Sequence, residues 1–380
     1  MRPWLRGPLA ALVVTRALLF AAAWVSPRWD GFFYLRFAAR LAAGLGYVDL
    51  ARSAVPTAFY PVGFVAAWSW ALRLVGTPRG SLFLLHLAAS AAGCAAVMVG
   101  TRRLRDEATA RRAGWCFVLH PGFALWSLAA MSETLTASLL AVAFAAHATR
   151  RWWLLGLSVG LATLVRPPSV WVLAVALCAA GPLRARLKRL ACAGLVAAAV
   201  LAPWAARNCV TLDRCAMVST NAGINLYIGA LDEAHGGYIL PAPRVECERA
   251  AGEVARDRCY LAAARDRIAA RPWAWALRGA EKLAVTFGVE HDPVAYLRAP
   301  RPLSRDPWGL ALTALCTLGW WATLGATLAS LWRQRTHDAA RAAALVLGLT
   351  ALTHAVFLGA DRYHLVLLGW CAPWAVQRRP

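Results

Sequence analysis

The feature that most constrains this sequence is a long succession of apolar stretches. Ten of them approach or reach the roughly 20 residues that a helix needs to cross a bilayer; they are 8–26, 81–100, 113–130, 134–149, 152–166, 168–182, 190–206, 308–331, 342–358 and 364–376. An eleventh, 61–76, is shorter. Hydrophobic residues make up 60% of the 380 residues, which is above their share in soluble domains, and charged residues make up only 16%, which is below it. The sequence therefore predicts an all-α polytopic transmembrane helical bundle.

The formal charge of +22 reflects arginines that gather in short clusters between the apolar stretches. Such clusters are typical of the cytoplasmic loops of membrane proteins, so the charge indicates orientation and not nucleic-acid binding. The clusters lie at 102–112, 150–151, 184–189, 333–341 and 378–379. The first apolar stretch is too long for a signal peptide, and we interpret it as an uncleaved first helix.

All basic clusters and the N-terminus can lie inside only if 61–76 does not cross the membrane. This argument leaves about ten crossing helices with both termini cytoplasmic, and it makes 61–76 a re-entrant or surface helix. Only Asp106, Glu107 and Asp338 of the 19 acidic residues then lie inside, which agrees with the assignment. We expect an integral protein of a bacterial inner (plasma) membrane, with its chemistry on the periplasmic or outer face.

Three regions follow from this topology. They are an N-terminal transmembrane module (1–206) with a first outer loop (27–76), a large outer loop region (207–306) and C-terminal transmembrane helices (307–380). The stretch Gly31–Ala43 is amphipathic, with Phe33, Phe37 and Leu41 on one side, and is expected to lie along the membrane surface. Residues 248–271 are expected to form a charged helix. In an oxidising compartment, the four cysteines of the large loop would pair as Cys209 with Cys215 and Cys247 with Cys259.

Two carboxylates on the outer face are candidate catalytic groups. Asp30 follows the first helix, and Glu133 lies at the turn between two crossing helices, so the topology brings both to one membrane face. Together they could activate a hydroxyl and orient a sugar. Asp30 is also a favoured N-cap residue, and Glu133 after Ser132 also suits the first turn of a helix.

Three arginines on the same face form a candidate anion site, because the guanidinium fork binds a phosphate with two hydrogen bonds. They are Arg166, Arg207 and Arg362. Arg166 could instead extend to the interface as a membrane-flanking arginine, and Arg362 could pair with Asp361 alone. The sequence Glu290-His291-Asp292 has metal-ligand residue types without metal-site spacing, and we expect no metal there. Arg16, near the middle of the first helix, has no assigned role.

The sequence has no glycine-rich nucleotide loop, so no nucleotide cofactor is expected. Its outer-face motifs resemble those of the C-type integral membrane glycosyltransferases, in particular family 39 of dolichyl-phosphate-mannose protein mannosyltransferases and the lipid A aminoarabinose transferases. The matching motifs are Trp29-Asp30-Gly31, Phe59-Tyr60-Pro61-Val62-Gly63, Ser132-Glu133-Thr134-Leu135, Leu164-Val165-Arg166-Pro167, Arg207-Asn208, 219–229 and Arg362-Tyr363-His364. They occur in the family's order along nearly the whole chain. The family often has two adjacent acidic residues in the first loop, where this chain has Asp30-Gly31.

The resemblance implies transfer of a sugar from a polyprenyl-phosphate donor to a protein, lipid or glycan acceptor. In this interpretation Asp30 is the general base, with Glu133 as second carboxylate. The arginines, with Tyr34 and Tyr60, bind the donor phosphate, and no metal or other cofactor is required. Acceptor or sugar contacts are expected from Asn221, Asn225, Tyr227, Tyr363 and His364, although the first three equally suit a turn. The competing hypotheses are a polyprenyl-lipid flippase or transporter, and a surface polysaccharide ligase or polymerase that uses a lipid diphosphate donor.

Overall fold

The computed structural model describes residues 3–48, 55–298 and 306–377, so the terminal basic pair at 378–379 lies outside the described residues. Within these ranges the chain is helical. The α-helices are α1 (Pro3–Ala22), α2 (Asp30–Ala42), α3 (Val62–Val75), α4 (Pro78–Leu104), α5 (Glu107–Leu119), α6 (Pro121–Trp126), α7 (Glu133–Ala148), α8 (Trp152–Val165), α9 (Leu183–Thr211), α10 (Ala222–Gly229), α11 (Val245–Glu248), α12 (Glu253–Ala270), α13 (Pro272–Phe287), α14 (Asp292–Arg298), α15 (Pro307–Arg333), α16 (Asp338–Val356) and α17 (Leu368–Ala375). Three 3₁₀-helices lie at Pro167–Cys178, Asp232–Ala234 and Asp361–Leu367.

Five helices in the described part of the chain are long and apolar enough to cross a membrane, namely α1, α4, α9, α15 and α16. They coincide with five of the ten predicted spans. The predicted all-α membrane architecture is therefore confirmed, and the protein is an integral membrane protein. The other five predicted crossings fall on shorter elements, so the number of crossings stays a prediction.

The shorter elements have identifiable causes. The apolar stretch 113–130 is divided between α5 and α6, because Pro121 cannot continue the preceding helix and His120 caps the next one, its Nδ1 accepting from the backbone N of Phe123 (3.4 Å). In the apolar stretch 168–182, the helical part is a 3₁₀-helix, Pro167–Cys178, and not an α-helix. The last stretch begins as a 3₁₀-helix and becomes α17.

The membrane bundle has two apolar cores. Helices α1, α4 and α5 pack together around Met98, Phe117 and Phe123, and α2 and α3 pack onto this core. The second core joins α7, α8 and the 167–178 segment to α15, α16 and α17. Residues of α7 belong to both cores, so packing on both sides fixes the position of Glu133 at the start of this helix.

The large outer loop region has a small core of its own, formed mainly by α10, α11 and α12. Both predicted disulfides are present, Cys209–Cys215 and Cys247–Cys259. The predicted charged helix is α12, which begins five residues later than expected, at Glu253.

Glu253 docks this outer region onto the first loop. Its carboxylate accepts hydrogen bonds from the hydroxyls of Thr57 (2.5 Å) and Thr220 (2.5 Å) and from the backbone N of Ala58 (2.7 Å). The segment that leads to Tyr60 is thereby fixed.

Helix α2 is amphipathic as predicted, and its position along the membrane surface stays a prediction. Gly31, Tyr34, Phe37 and Ala38 are buried, whereas Phe33 is exposed. This buried face packs against α3 through Tyr34, whose ring centre lies 5.3 Å from that of Phe64.

Candidate active site

Arg362 lies between the two carboxylates singled out by the sequence. Its Nη2 donates to Oδ2 of Asp30 (3.3 Å), and its Nε lies 3.5 Å from Oε1 of Glu133. Three segments far apart in the chain therefore meet at one guanidinium: the start of α2, the start of α7 and the turn after α16. The alternative in which Arg362 pairs only with Asp361 is wrong, because the Asp361 carboxylate accepts from backbone N–H groups instead.

Arg166 completes this cluster from the end of α8. Its Nη1 donates to Oε1 of Glu133 at 2.7 Å, and its guanidinium lies 4.5 Å from the ring centre of Tyr363. Arg362 lies 5.5 Å from the same ring. Two carboxylates and two guanidiniums thus form a formally neutral cluster around one aromatic ring. Because Arg166 is paired with Glu133, the alternative that it only extends to the membrane interface is wrong.

The two carboxylates have different environments. The side chain of Glu133 is 1% exposed, whereas that of Asp30 is 32% exposed. Glu133 is thus suited to hold the arginines, because a buried carboxylate needs charged partners. Asp30 is open to an incoming molecule, as a group that takes a proton from a substrate must be.

Asp30 does not serve as an N-cap, whereas Glu133 lies in the first turn of α7 as the alternative predicted. Trp29 occupies the N-cap position of α2, with a positive φ of 51°, and Asp30 is the first helical residue. Ser132 makes no side-chain capping hydrogen bond at the start of α7, and the Glu133 side chain is bound to Arg166. A strained backbone beside a partly exposed carboxylate is typical of functional sites.

Two glycines allow the segments to approach closely. A Cβ on Gly31 would lie 2.5 Å from the carbonyl oxygen of Ala130, and one on Gly63 would lie 2.6 Å from the carbonyl carbon of Leu164. The first contact joins the Asp30 and Glu133 segments, and the second joins the start of α3 to the end of α8, just before Arg166. Glycine at position 31 therefore has a steric reason.

Tyr60 and Tyr34 lie beside Asp30. The hydroxyl of Tyr60 donates to Oδ1 of Asp30 at 3.4 Å, and the ring of Tyr34 meets that of Tyr60 edge-on at 5.3 Å. Burial, followed by the nearby charge of Asp30, raises the pKa of Tyr60 and of Tyr34 above the ordinary tyrosine value. Both phenols therefore remain protonated hydrogen-bond donors at neutral pH.

Arg207 has a different environment from the other two arginines. Its guanidinium donates to the backbone carbonyls of Thr57 (2.8 Å) and Tyr47 (2.7 Å) and lies 4.8 Å from the ring of Trp204. It holds the first loop in place, and the structure does not bring it into the Arg166–Arg362 cluster.

The predicted acceptor residues are divided among several surroundings. Tyr227 is buried in the core of the outer region, its ring 5.5 Å from that of Tyr260. The carbonyl oxygen of the Asn221 side chain accepts from the hydroxyl of Ser219 (2.9 Å), and Asn225 lies one turn further on in α10. Tyr363 alone contacts both arginines.

His364 lies in the interior and does not face an acceptor. Its Nε2 is 2.9 Å from Oε1 of Glu290, its Nδ1 is 2.6 Å from the carbonyl of Thr286, and its ring stacks on Trp320 at 4.0 Å. The sequence reasoning missed Glu290 as a partner, because a buried contact between residues 74 positions apart leaves no local pattern. In the described residues, no group of three or more His, Cys, Asp or Glu side chains is arranged to hold a metal ion.

Comparison with family models and with curated protein sequences gave no match. Solved structures do match. The archaeal oligosaccharyltransferase AglB from Archaeoglobus fulgidus, in complex with an inhibitory peptide and a dolichol-phosphate, has a TM-score of 0.54 at 14% identity, covering 97% of this chain and 49% of AglB. The fold of this chain is similar to that of this oligosaccharyltransferase. The same archaeal protein tethered to an acceptor peptide gives 0.54 and 14%, covering 98% and 49%.

A further similar structure is ArnT from Cupriavidus metallidurans bound to undecaprenyl phosphate, with a TM-score of 0.49 at 16% identity, covering 98% of this chain and 77% of ArnT. The chain spans about half the length of AglB. The match to AglB confirms the resemblance inferred from the sequence motifs at the level of the fold alone.

Proposed function

We propose that this protein is a membrane glycosyltransferase that moves a sugar from a polyprenyl-phosphate donor to an acceptor hydroxyl on the outer face, with inversion at the anomeric carbon. One observation carries the proposal. Arg362 joins a partly exposed carboxylate, Asp30, to a buried one, Glu133, which also holds Arg166. A proton acceptor and two phosphate-binding groups therefore lie within one cluster.

Unused donors on the arginines support the donor-phosphate assignment. Each guanidinium has five N–H groups. In the described part of the chain, the guanidiniums of Arg166 and Arg362 each make one hydrogen bond, to Glu133 and to Asp30 respectively. The Nη groups that remain can bind phosphate oxygens, whereas Nε of Arg362 is buried beside Glu133. The AglB match includes a complex with dolichol-phosphate and an inhibitory peptide, which agrees with a lipid-linked phosphate and an extended acceptor.

In the proposed reaction, Asp30 takes the proton of the acceptor hydroxyl as its oxygen attacks the anomeric carbon. The bond from this carbon to the phosphate oxygen breaks, and its electron pair leaves with the polyprenyl phosphate. Arg166 and Arg362 stabilise the charge that develops on this phosphate, because guanidinium groups aimed at a developing anion lower the barrier. Tyr60, a protonated donor, orients Asp30. Proton transfer through a placed carboxylate contributes about 10²- to 10⁴-fold.

Glu133 acts by holding the two arginines, since its buried oxygen is 2.7 Å from Arg166 and 3.5 Å from Arg362. We propose no metal or cofactor in the reaction, because guanidinium groups already supply the positive charge next to both carboxylates. The donor sugar and the acceptor class are left open by these contacts.

The experiment is transfer of radiolabelled sugar from a polyprenyl monophosphate donor in membranes that contain the full-length protein. Asp30→Asn should lose at least about 100-fold of the wild-type rate, whereas Asp266→Asn, the same change at an exposed position of α12, should have no effect. Transfer only from a diphosphate-linked glycan would favour a ligase or polymerase, and lipid movement without transfer would favour a flippase. Full activity of Asp30→Asn would remove the base assignment.

A further inference from the structure

Tyr296, in α14 at the end of the large outer loop region, is completely buried beside the carboxylate cluster. Its hydroxyl oxygen accepts hydrogen bonds from the backbone N–H of Arg28 (3.1 Å) and of Ala130 (3.2 Å). Arg28 precedes Asp30 by two residues, and Ala130 precedes Glu133 by three. One phenol oxygen therefore joins the two segments that carry the carboxylates.

The space around this hydroxyl is tightly filled. A Cβ on Gly31 would lie 3.0 Å from it, and the ring of Trp29 meets the Tyr296 ring edge-on at 5.3 Å. Arg28 also donates from Nη1 to the Tyr296 carbonyl (3.4 Å). Tyr296 is thus fixed through both its hydroxyl and its backbone carbonyl, and the hydroxyl has little freedom to move relative to the two segments.

The other end of α14 is bound to the third segment of the site. Oδ2 of Asp361 accepts from the backbone N–H groups of His291 (2.5 Å) and Asp292 (2.7 Å), which start this helix. Asp361 directly precedes Arg362. The residue before His291, Glu290, is fixed by its contact with His364 (2.9 Å). Helix α14 therefore connects the segments of Asp30, Glu133 and Arg362.

We propose that Tyr296 is a positioning residue that sets the separation of Asp30 and Glu133, so that both reach Arg362 at once. This inference rests on the proposed transferase function and adds a residue that does not touch the substrate. Removing the phenol oxygen leaves the N–H of Ala130 buried without a partner, and the two segments are then free to separate. A displacement of about 1 Å at a catalytic group lowers the rate by roughly 100-fold.

The test compares Tyr296→Phe with a matched control, Tyr260→Phe, in the purified full-length protein. Tyr260 is also buried, and its hydroxyl donates to Glu248 (2.7 Å) and accepts from the backbone N of Arg244 (3.3 Å), but it lies in the core of the outer region. Tyr296→Phe should lower kcat by about 10- to 100-fold with the donor KM within about twofold, because the lost geometry matters in the transition state. Tyr260→Phe should leave kcat within about twofold of wild type.

A second variant, Gly31→Ala, separates the same segments from the other side and tests the inference even if Tyr296→Phe does not fold. Since both changes act on one contact, the double variant should be little slower than the worse single variant. A wild-type kcat in Tyr296→Phe or in Gly31→Ala, or a loss confined to donor KM, would overturn the positioning role while wild-type transfer upholds the function. Absence of wild-type transfer from the monophosphate donor would instead overturn the function and this role with it.

Discussion

The contrast between the two carboxylates can be tested with Glu133→Gln. The change removes a charge that lies 2.7 Å from Arg166 and 3.5 Å from Arg362 and whose side chain is 1% exposed. It leaves two guanidiniums around a neutral amide, inside a site from which water is largely excluded. Removal of one partner from a buried ion pair costs about 3–5 kcal/mol. Asp30→Asn should cost far less, because the Asp30 side chain is 32% exposed and water can replace part of the lost interaction.

The assay is thermal unfolding of the purified protein in detergent, followed by the transfer rate of the material that is still folded. Glu133→Gln should lower Tm by at least about 5 °C. It should also reduce transfer, because Arg166 and Arg362 lose the carboxylate that positions them. Asp30→Asn should abolish transfer with Tm nearly unchanged. Glu133→Asp, which keeps the charge on a shorter side chain, should recover part of the stability.

A control for the loss of a carboxylate as such is Glu281→Gln, at an exposed position of α13. This variant should resemble wild type in Tm and in transfer. The reasoning is refuted if Glu133→Gln and Asp30→Asn have the same Tm, since burial would then not distinguish the two groups.

Three further outcomes are expected. Gly63→Ala should destabilise the protein by about 1–3 kcal/mol through overlap with the end of α8, whereas Gly194→Ala, where an added Cβ meets nothing within 4 Å, should not lower Tm. Burial and the adjacent carboxylate of Asp292 raise the pKa of Asp361 well above its ordinary 3.8, so the folded protein keeps a proton that the unfolded chain loses. The free energy of unfolding should therefore fall as pH rises above about 4. Asp361→Asn should remove that fall in curves of Tm against pH. EDTA should leave the transfer rate unchanged, and loss of activity that Mn²⁺ restores would contradict the arginine-based scheme.

The location of the candidate site could be derived largely from the sequence. Apolar length and basic clusters predict which segments face outward, and this topology predicts that Asp30, Glu133 and Arg362 lie on one side of the bundle. Arg166 at the end of α8 followed from the same topology. The structure brings Asp30, Glu133, Arg166 and Arg362 together, while the membrane face that they occupy stays a prediction from local composition.

The partners of each side chain could not be derived in this way. Arg166 follows the last residue of α8 and Arg207 lies near the end of α9, yet Arg207 binds the carbonyls of Tyr47 and Thr57, and Arg166 binds Glu133. His364 was expected at the acceptor side and is buried against Glu290. Hydrogen-bond choice depends on which segments pack together, and that is not encoded in any one motif.

The sequence by itself determined that the chain is a helical membrane protein, because apolar segments of this length can satisfy their backbone hydrogen bonds in lipid only as helices or closed barrels. Only the tertiary structure decided that Arg362 binds both carboxylates and that Tyr296 joins their segments, since these contacts connect residues more than 100 positions apart. A contact between distant residues depends on the packing of the helices between them, including the close approach at Gly31.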